Sequence, residues 1–404
     1  MKGTIHGRWF QTVTKSTHLA MNAVVFNIHD VALLLRVGEC GMLAVLFFAH
    51  RGSKPYSNLL LAAFLLLNAM IALHILILWG EAFRFLAFEF NPNVFFIFNF
   101  AYFLEGPILY WYTRSLIYKD FKFVAKDALH LVPAAATPVL VYFLYYRHPI
   151  EIKEAIALNF QDYGASEPLF GWLVHPEKIV IVLYGIASLY QLFQYRQRLK
   201  QNYSDIERID LTWLVLLIGG FMASWVCFLL AHIFGVFDYA KIGEGLAVFA
   251  NYVLFVFIST LIFYSLIYSE MFEGINESKN ETEKAIKEDV TPEQLATIQN
   301  AMEQRKLYLN SKLTLDEFSK QIDLQTRQVS FAINRHLKQN FHEFVNRYRV
   351  EGVKRVLSTP DAQALAITDV ATNAGFNSKA AFNRFFKKFT EMTPTQYREQ
   401  QIDR

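Results

Sequence analysis

The sequence predicts an all-α protein: a transmembrane bundle of about seven helices, then a cytoplasmic all-α domain with two helix-turn-helix units joined by a long helix. Three observations lead to this prediction. Apolar runs of roughly 20 residues recur up to about residue 268 and then stop. After that point charged residues are frequent, and the apolar residues recur at helical spacing. Two short helix-turn-helix patterns flank one long helical pattern between residues 315 and 390.

The apolar runs account for the predicted bundle. The chain is 53% hydrophobic and contains 38 Phe among its 404 residues. A bilayer core requires about 20 mostly apolar residues per helix, and backbone groups in hydrocarbon must be hydrogen-bonded within their own segment. We therefore expect a transmembrane domain over 28–268, with spans at roughly 28–49, 59–79, 94–117, 129–146, 177–195, 211–234 and 245–268.

Lys and Arg in the loops predict the orientation, because positive loops stay in the cytoplasm. One alternate set of loops holds ten basic residues: Arg51, Lys54, Arg114, Lys119, Lys122, Lys126, Arg196, Arg198, Lys200 and Arg208. The other set holds five: Arg84, Arg147, Lys153, Lys178 and Lys241. The first set is expected inside, which puts the N-terminus outside and residues 269–404 in the cytoplasm. The chain is then a multi-pass protein of the cytoplasmic (inner) membrane.

The ends of the bundle differ in charge. The N-terminal segment 1–27 is polar and basic at its start, and we expect Met21 to be the true first residue. A linker over 269–300 follows the last span, and residues 269–293 hold eight acidic side chains and three lysines. Residues 301–404 form the terminal domain, with 17 Lys and Arg against 11 Asp and Glu. A basic domain behind an acidic connector suggests a polyanionic partner.

Several ionisable residues fall at membrane depth, where they are costly and mark candidate functional sites. Arg36, Glu39 and Glu105 are the candidates for sensing a signal. Arg36 and Glu39 lie three residues apart on one helical face and could instead neutralise each other. Glu105 lies mid-span beside Gly106 and Pro107, which loosen a helix. Neither the histidines nor the two cysteines have metal-ligand spacing, so we expect no metal site.

The first cytoplasmic unit begins after a helix predicted over 294–309. Thr314 and Glu317 have the spacing of a capping box, and Leu313 with Phe318 that of a hydrophobic staple. A short helix is expected from 315 to about Asp323, and a second over 326–337. On the second helix Val329, Ala332, Ile333 and His336 fall on the inner side. The outer, candidate groove-facing side is formed by Arg327, Ser330, Phe331 and Asn334.

A long helix over 341–357 separates this unit from a second one. There, Gly375 predicts the turn and Ser378 the N-cap of the next helix. Four phenylalanines form the apolar stripe of that helix: Phe382, Phe385, Phe386 and Phe389. The opposite face carries Ala380, Asn383, Arg384 and Lys387. Two such units suit two entries into the major groove of DNA, about 34 Å apart.

These residues resemble a known family. The pattern Ile367-x-x-Val370-Ala371-x-x-x-Gly375-Phe376-x-Ser378, then Phe382, Phe386-Lys387 and Thr393-Pro394-x-x-Tyr397-Arg398, is similar to the DNA-binding domain of the AraC/XylS family of bacterial transcription regulators. Arg349 and Leu357 match the linker-helix pattern of that family. The resemblance implies DNA contacts by Lys379, Ala380, Asn383 and Arg384 in the second unit. In the first unit it implies contacts by Arg327, Ser330 and Phe331.

The sequence departs from the family pattern at four places. Asp323 stands where the first turn usually has a small residue, and Gln325 where the following cap has Ser. Phe331 replaces a polar residue, and Glu391 replaces the Gly that is common before Thr-Pro. The first three departures put base reading by the first unit in more doubt than base reading by the second.

The expected function is that of a membrane-bound, sequence-specific DNA-binding transcription regulator that couples a signal at the membrane to gene expression. The alternatives are a membrane transporter, or a passive membrane anchor, with a regulatory DNA-binding tail. We expect no enzyme, because the sequence offers no catalytic set of nucleophile, base and orienting group, and we expect no cofactor. The expected partners are double-stranded DNA, the lipid bilayer, an unidentified small-molecule or envelope signal and, in a homodimer, a second copy of the chain.

Overall fold

The computed structural model describes residues 27–49, 55–118, 120–158, 168–206, 211–237, 239–267, 290–359 and 363–402. The expected start at Met21 and most of the acidic linker lie outside these residues. The chain divides into two compact units. The bundle unit comprises Met1–Tyr190 and Trp213–Ser269, and the C-terminal unit comprises Gln191–Thr212 and Glu270–Arg404.

The described residues before the acidic linker form nine α-helices, most of them long and apolar. They are α1 (Ile28–Ala49), α2 (Pro55–Trp79), α3 (Glu81–Phe90), α4 (Asn99–Ile117), α5 (Val132–Val141), α6 (Ile150–Leu158), α7 (Pro168–Asn202), α8 (Thr212–Val236) and α9 (Ala240–Ile267). A 3-10 turn over Ala125–Leu131 leads into α5, and a π-helical turn over Tyr142–Tyr146 continues it. Helix α2 packs against α1 and α4, while α9 packs against α1 and α5 against α4.

Seven stretches in the described residues have the length and hydropathy to cross a membrane, each 20 to 27 residues long. They coincide with the seven apolar runs, which confirms the predicted fold class. Large apolar side chains also point outward from these helices: Val45 is 67% exposed, Phe48 72% and Leu183 58%. Such outward faces fit hydrocarbon better than water. The short helices α3 and α6 lie between the long ones and were not predicted.

In its described residues, the C-terminal unit contains seven further α-helices. They are α10 (Pro292–Glu303), α11 (Leu315–Gln321), α12 (Thr326–Phe331), α13 (Phe341–Leu357), α14 (Ile367–Asn373), α15 (Lys379–Thr390) and α16 (Pro394–Ile402). The described residues form no β-strand beyond an isolated bridge between Tyr203 and Thr314.

Helix α13 joins two hydrophobic cores. Its first half places Phe341, Phe344 and Val345 in a cluster with α10, α11 and α12. Its second half places Val350 and Val353 in a second cluster with α14 and α15. Because one continuous helix contributes to both cores, the two halves of the domain are held by a rigid element. This is the arrangement that the two helix-turn-helix patterns predicted.

Two local predictions were wrong. The helix predicted over 294–309 ends at Glu303, because Lys306 takes a left-handed conformation (φ 51°) that an α-helix does not accommodate. His336 is exposed rather than turned inward. The reason is that Ala332–His336 forms a π-helical turn. Its wider winding rotates the following side chains away from the directions that they would have in an α-helix.

Candidate nucleic-acid interface

The first helix-turn-helix unit consists of α11 and α12. The Thr314 hydroxyl accepts a hydrogen bond from the Glu317 N–H at 3.2 Å, which confirms the predicted N-cap of α11. The Glu317 carboxylate is turned to Asn310 Nδ2 at 3.1 Å rather than back to the cap. At the turn, Asp323 has φ 56°. Aspartate is among the residues that tolerate this left-handed region, so it can replace the small residue expected there.

The predicted groove-facing side of α12 is only partly exposed. Arg327, Ser330, Phe331 and Asn334 are all half-buried. The Asn334 side-chain amide donates to the Ser330 carbonyl at 2.9 Å and to the Ser330 hydroxyl at 3.2 Å. The Phe331 ring packs against the first core cluster. The residues on this side of α12 therefore already have partners.

The second unit consists of α14 and α15, joined by a tight turn. Gly375 has φ 93°, and a Cβ atom there would lie 2.7 Å from the Tyr308 carbonyl oxygen. Both the backbone conformation and the close approach require glycine at this position. The Ser378 hydroxyl then accepts from the Ala381 N–H at 3.2 Å and caps α15, as predicted.

Helix α15 has two sharply different faces. Phe382, Phe385 and Phe386 are buried in the second core cluster, and Phe389 packs against it. The opposite face carries the five residues expected to contact DNA, all of them exposed: Lys379, Ala380, Asn383, Arg384 and Lys387. The guanidinium group of Arg384 lies over the Phe385 ring, 5.3 Å from its centroid. The structure thus brings the second-unit candidates together on one accessible helix face.

Lys388 and Glu391 flank this face. The Lys388 ammonium group is paired with the Glu343 carboxylate of α13, which ties α15 to the linker helix. Glu391 ends α15 in a left-handed conformation with φ 61°. This position is the one where the family pattern has Gly, so the structure retains the backbone geometry without the usual residue.

Comparison with known proteins identifies this part of the chain. Residues 318–400 match the model of a family described as "Helix-turn-helix domain". The C-terminal unit contains an AraC-type helix-turn-helix domain. Relatives that match the chain are named as HTH-type transcriptional regulators.

The relatives share the AraC-type domain and little more. An uncharacterized HTH-type transcriptional regulator of Staphylococcus aureus (strain COL) is 38% identical over 93 residues, which are 23% of this chain and 12% of the relative. The uncharacterized HTH-type transcriptional regulator YtdP of Bacillus subtilis (strain 168) is 31% identical over 90 residues, 22% of this chain and 11% of that protein. The chain therefore spans only about an eighth of the length of these curated relatives. No solved structure matches the chain significantly.

Arg349 is a buried arginine that hydrogen-bonds to several segments of the AraC-type domain. It is 1% exposed, and its guanidinium donates to the carbonyls of Tyr308 and Asn310, both at 2.8 Å. It also donates to Asn346 Oδ1 at 3.2 Å and lies 5.9 Å from the centroid of the Phe376 ring. One side chain therefore connects the start of the first unit, the linker helix and the turn of the second unit.

Burial shifts the pKa of two side chains on the linker helix. Burial is the main cause that lowers the pKa of His342 to about 4, against a smaller raising effect from its hydrogen bond to the Ser204 carbonyl. Because a carbonyl only accepts, the neutral His342 ring has its proton on Nδ1. Burial also lowers the pKa of Arg349 to about 10, so this side chain is charged at neutral pH. The sequence analysis did not single out His342 and Asn346. The pattern that could have identified them is that they are polar residues at helical spacing from Arg349, on the buried side of α13.

The candidate sensing residues lie in the interior of the bundle unit. Arg36 is 2% exposed, and its guanidinium donates to Asn68 Oδ1 and Asn251 Oδ1, both at 3.2 Å. The Glu39 carboxylate accepts from the Ser259 hydroxyl at 2.9 Å. Arg36 and Glu39 thus bond to other helices, α2 and α9, rather than neutralising each other.

Glu105 is the third candidate, and it is 4% exposed on α4. Its carboxylate lies close to the side chains of Asn68 and Trp225 and within electrostatic range of Arg36. Arg36 Nε is buried and has no hydrogen-bond partner in the described part of the chain. The candidates Arg36 and Glu105 therefore belong to one buried polar cluster, which connects α1, α2, α4, α8 and α9.

Proposed function

We propose that this protein is a membrane-embedded, sequence-specific transcription regulator in which a signal received by the helical bundle changes DNA binding by the AraC-type domain. The observation that supports it most is the combination, in one chain, of seven helices able to cross a membrane and an AraC-type domain with an exposed recognition face on α15. The bias of Lys and Arg between the loops favours a cytoplasmic location for that domain, where it has access to DNA.

The DNA-reading residues of this proposal are those on α15. A guanidinium group can bind guanine through two hydrogen bonds, and a side-chain amide can do the same with adenine. Arg384 and Asn383 are therefore proposed to read bases, with Lys379 and Ala380 beside them. Lys387 is a candidate for either a base or a phosphate contact. On α12 we propose a smaller contribution from Arg327, Ser330, Phe331 and Asn334, because these side chains are half-buried.

The first experiment compares Arg384→Ala with Lys388→Ala in the full chain in lipid nanodiscs, at about 150 mM salt. The probes are the DNA upstream of the chain's own gene and random DNA of equal length. Arg384→Ala should weaken binding to the specific DNA by about 10- to 100-fold while changing random DNA binding little, because it removes a base contact worth roughly 1–3 kcal/mol. Lys388→Ala removes a positive charge beside the exposed face of α15. It should weaken binding to both DNAs slightly and make the affinity depend less on salt concentration. Equal losses on both DNAs for Arg384→Ala would refute base reading by this residue.

The proposal also assigns the signal-receiving role to Arg36 and Glu105 in the buried polar cluster and to the half-buried Glu39 beside them on α1. A ligand or envelope signal can act only by binding two states of the bundle with different affinity. Charged groups inside a bundle are costly, and Arg36 has a buried nitrogen without a partner among the described residues. We propose that these groups are retained because their hydrogen bonds differ between the two states.

Arg36→Met tests this role. It should change the DNA affinity of the full chain by about fivefold or more, the lower range of allosteric coupling. The matched control is Leu35→Ala, the neighbouring residue, which is 51% exposed on the outer side of α1. The control should leave DNA affinity unchanged. A passive membrane anchor predicts no change for either variant, so unchanged affinity for Arg36→Met would refute sensing by this cluster.

A further inference from the structure

The short segment after α7 lies inside the C-terminal unit. We call residues 203–206 the docking segment. The Ser204 N–H donates to the Leu313 carbonyl at 3.1 Å, and Tyr203 forms an antiparallel bridge with Thr314. Ser204 is 1% exposed and Ile206 6%. A loop that merely passed over the surface would leave these side chains in water.

The linker helix provides a receiving site for Ser204. His342 Nδ1 and Asn346 Nδ2 both donate to the Ser204 carbonyl, at 2.7 and 2.9 Å. Arg349 Nη2 donates to the Ser204 hydroxyl at 3.2 Å. These three side chains are one turn apart along one face of α13, and none is more than 4% exposed.

The burial of these donors indicates that the site is built for an acceptor. A buried donor left without an acceptor destabilises the folded state. His342 Nδ1 also lies 3.3 Å from Asn346 Nδ2, but an amide nitrogen cannot accept its proton, so the Ser204 carbonyl is its acceptor among the described residues. Asn346 and Arg349 also bond elsewhere. A backbone carbonyl that fills the site therefore stabilises the buried polar face of the linker helix.

The docking segment also contacts the approach to the second recognition helix. Asn377 Nδ2 donates to the Asp205 carboxylate at 2.7 Å and to the Ser311 carbonyl at 3.2 Å. Asn377 immediately precedes Ser378, which caps α15. The segment thus touches the linker helix, the start of α11 and the start of α15, and its chain continues directly from α7.

We propose that the docking segment is a second, non-covalent attachment through which α7 controls the position of the AraC-type domain. The domain is already joined to α9 through the chain, and the docking segment would hold it by the linker helix as well. Release or movement of this segment would then change how α15 is presented to DNA. This regulatory role rests on the proposed function, whereas the docking itself does not.

A cysteine pair tests the docking in the full chain. Asp205→Cys and Asn377→Cys are introduced after Cys40→Ser and Cys227→Ser, and the protein is oxidised in nanodiscs. We expect an intramolecular disulfide in most molecules, detected by mass spectrometry of tryptic peptides. The control pair combines Asp205→Cys with Thr297→Cys, an exposed residue of α10 whose hydroxyl bonds within its own helix. A yield for the 205–377 pair no higher than for the control pair would overturn the proposal.

Two substitutions at Ser204 separate docking from mere proximity. Ser204→Pro removes the N–H that bonds to Leu313 and should lower the rate of disulfide formation about tenfold, as expected for loss of a buried hydrogen bond. Ser204→Ala removes only the hydroxyl that accepts from Arg349 and keeps both backbone groups, so its rate should stay above that of Ser204→Pro, which loses the N–H as well. Equal rates for the two variants would contradict docking through the Ser204 backbone.

The regulatory role has its own measurement. DNA affinity is compared between the oxidised and the reduced 205–377 chain, and we expect a difference of about fivefold or more. Equal affinities would overturn the regulatory role. Adding Arg384→Ala should weaken specific DNA binding by about 10- to 100-fold and leave disulfide formation intact, so failure of DNA recognition and failure of docking are distinguishable.

Discussion

Arg349→Ala should strongly destabilise the AraC-type domain. The guanidinium is 1% exposed and makes four hydrogen bonds, to the Tyr308 and Asn310 carbonyls, Asn346 Oδ1 and Ser204 Oγ. At about 1.5 kcal/mol for each bond from a charged donor, their loss costs about 6 kcal/mol. Removing the buried charge offsets part of this loss, because the charge no longer has to be desolvated. The pKa lowered from 12.5 to about 10 corresponds to roughly 3 kcal/mol of desolvation, so the net loss is about 3 kcal/mol.

Hydrogen exchange measures this loss without removing the domain from the chain. The domain has no tryptophan, whereas the buried amides of α13 report its opening free energy directly. Their protection factors in the full chain should fall about a hundredfold, since each 1.4 kcal/mol is a factor of ten. Arg347→Ala is the matched control, an exposed arginine on the same helix whose guanidinium lies over the Phe389 ring. If Arg349→Ala lowered protection no more than Arg347→Ala, the reasoning from buried hydrogen bonds would be refuted.

Two further predictions concern stability. Because the pKa of His342 is lowered to about 4 in the folded protein, the unfolded chain binds a proton more readily. The folded state therefore loses stability as the pH falls from about 6.5 towards 4. Between pH 7.5 and pH 5.5 the loss should be about 1 kcal/mol, measured by pulse proteolysis in urea; a His342→Gln chain with the same pH dependence would contradict this assignment. Glu391→Gly should stabilise the domain by about 0.5–1 kcal/mol in the same assay, because glycine adopts the φ of 61° without strain. Glu399→Gly, inside α16, should instead destabilise it slightly, and a gain there equal to that of Glu391→Gly would point away from backbone strain.

Local patterns were sufficient for much of the fold. The seven apolar runs predicted the seven long helices because span length and hydropathy depend only on residues within one segment. Helix α13 has the predicted bounds Phe341–Leu357, since its apolar spacing is unbroken. The faces of α15 also followed from spacing, because four phenylalanines specify which side is buried. The end of α10 and the turn of His336 into water were missed, since each depends on a local change of helix type.

The partners of polar side chains could not be predicted from the sequence. Arg36 and Glu39 have the spacing of an ion pair, but Arg36 bonds to α2 and α9 and Glu39 bonds to α9. The hydrogen-bond partners of these two side chains depend on which helices surround α1. Hydropathy carries no information about which helices are neighbours in a bundle. In the same way, the half-buried state of the α12 face depends on the packing of Phe331 against the first core cluster.

The sequence by itself determined the long apolar helices, the linker helix α13 and the exposed face of α15 with Asn383 and Arg384. These features repeat every few residues along the chain, so they are written in local spacing. Only the tertiary structure decided that Ser204 binds to His342, more than a hundred positions away. The Ser204 side of that contact is a backbone carbonyl, a group that every residue type possesses. It leaves no pattern in the sequence, because its specificity comes from the place to which the folded chain brings one carbonyl.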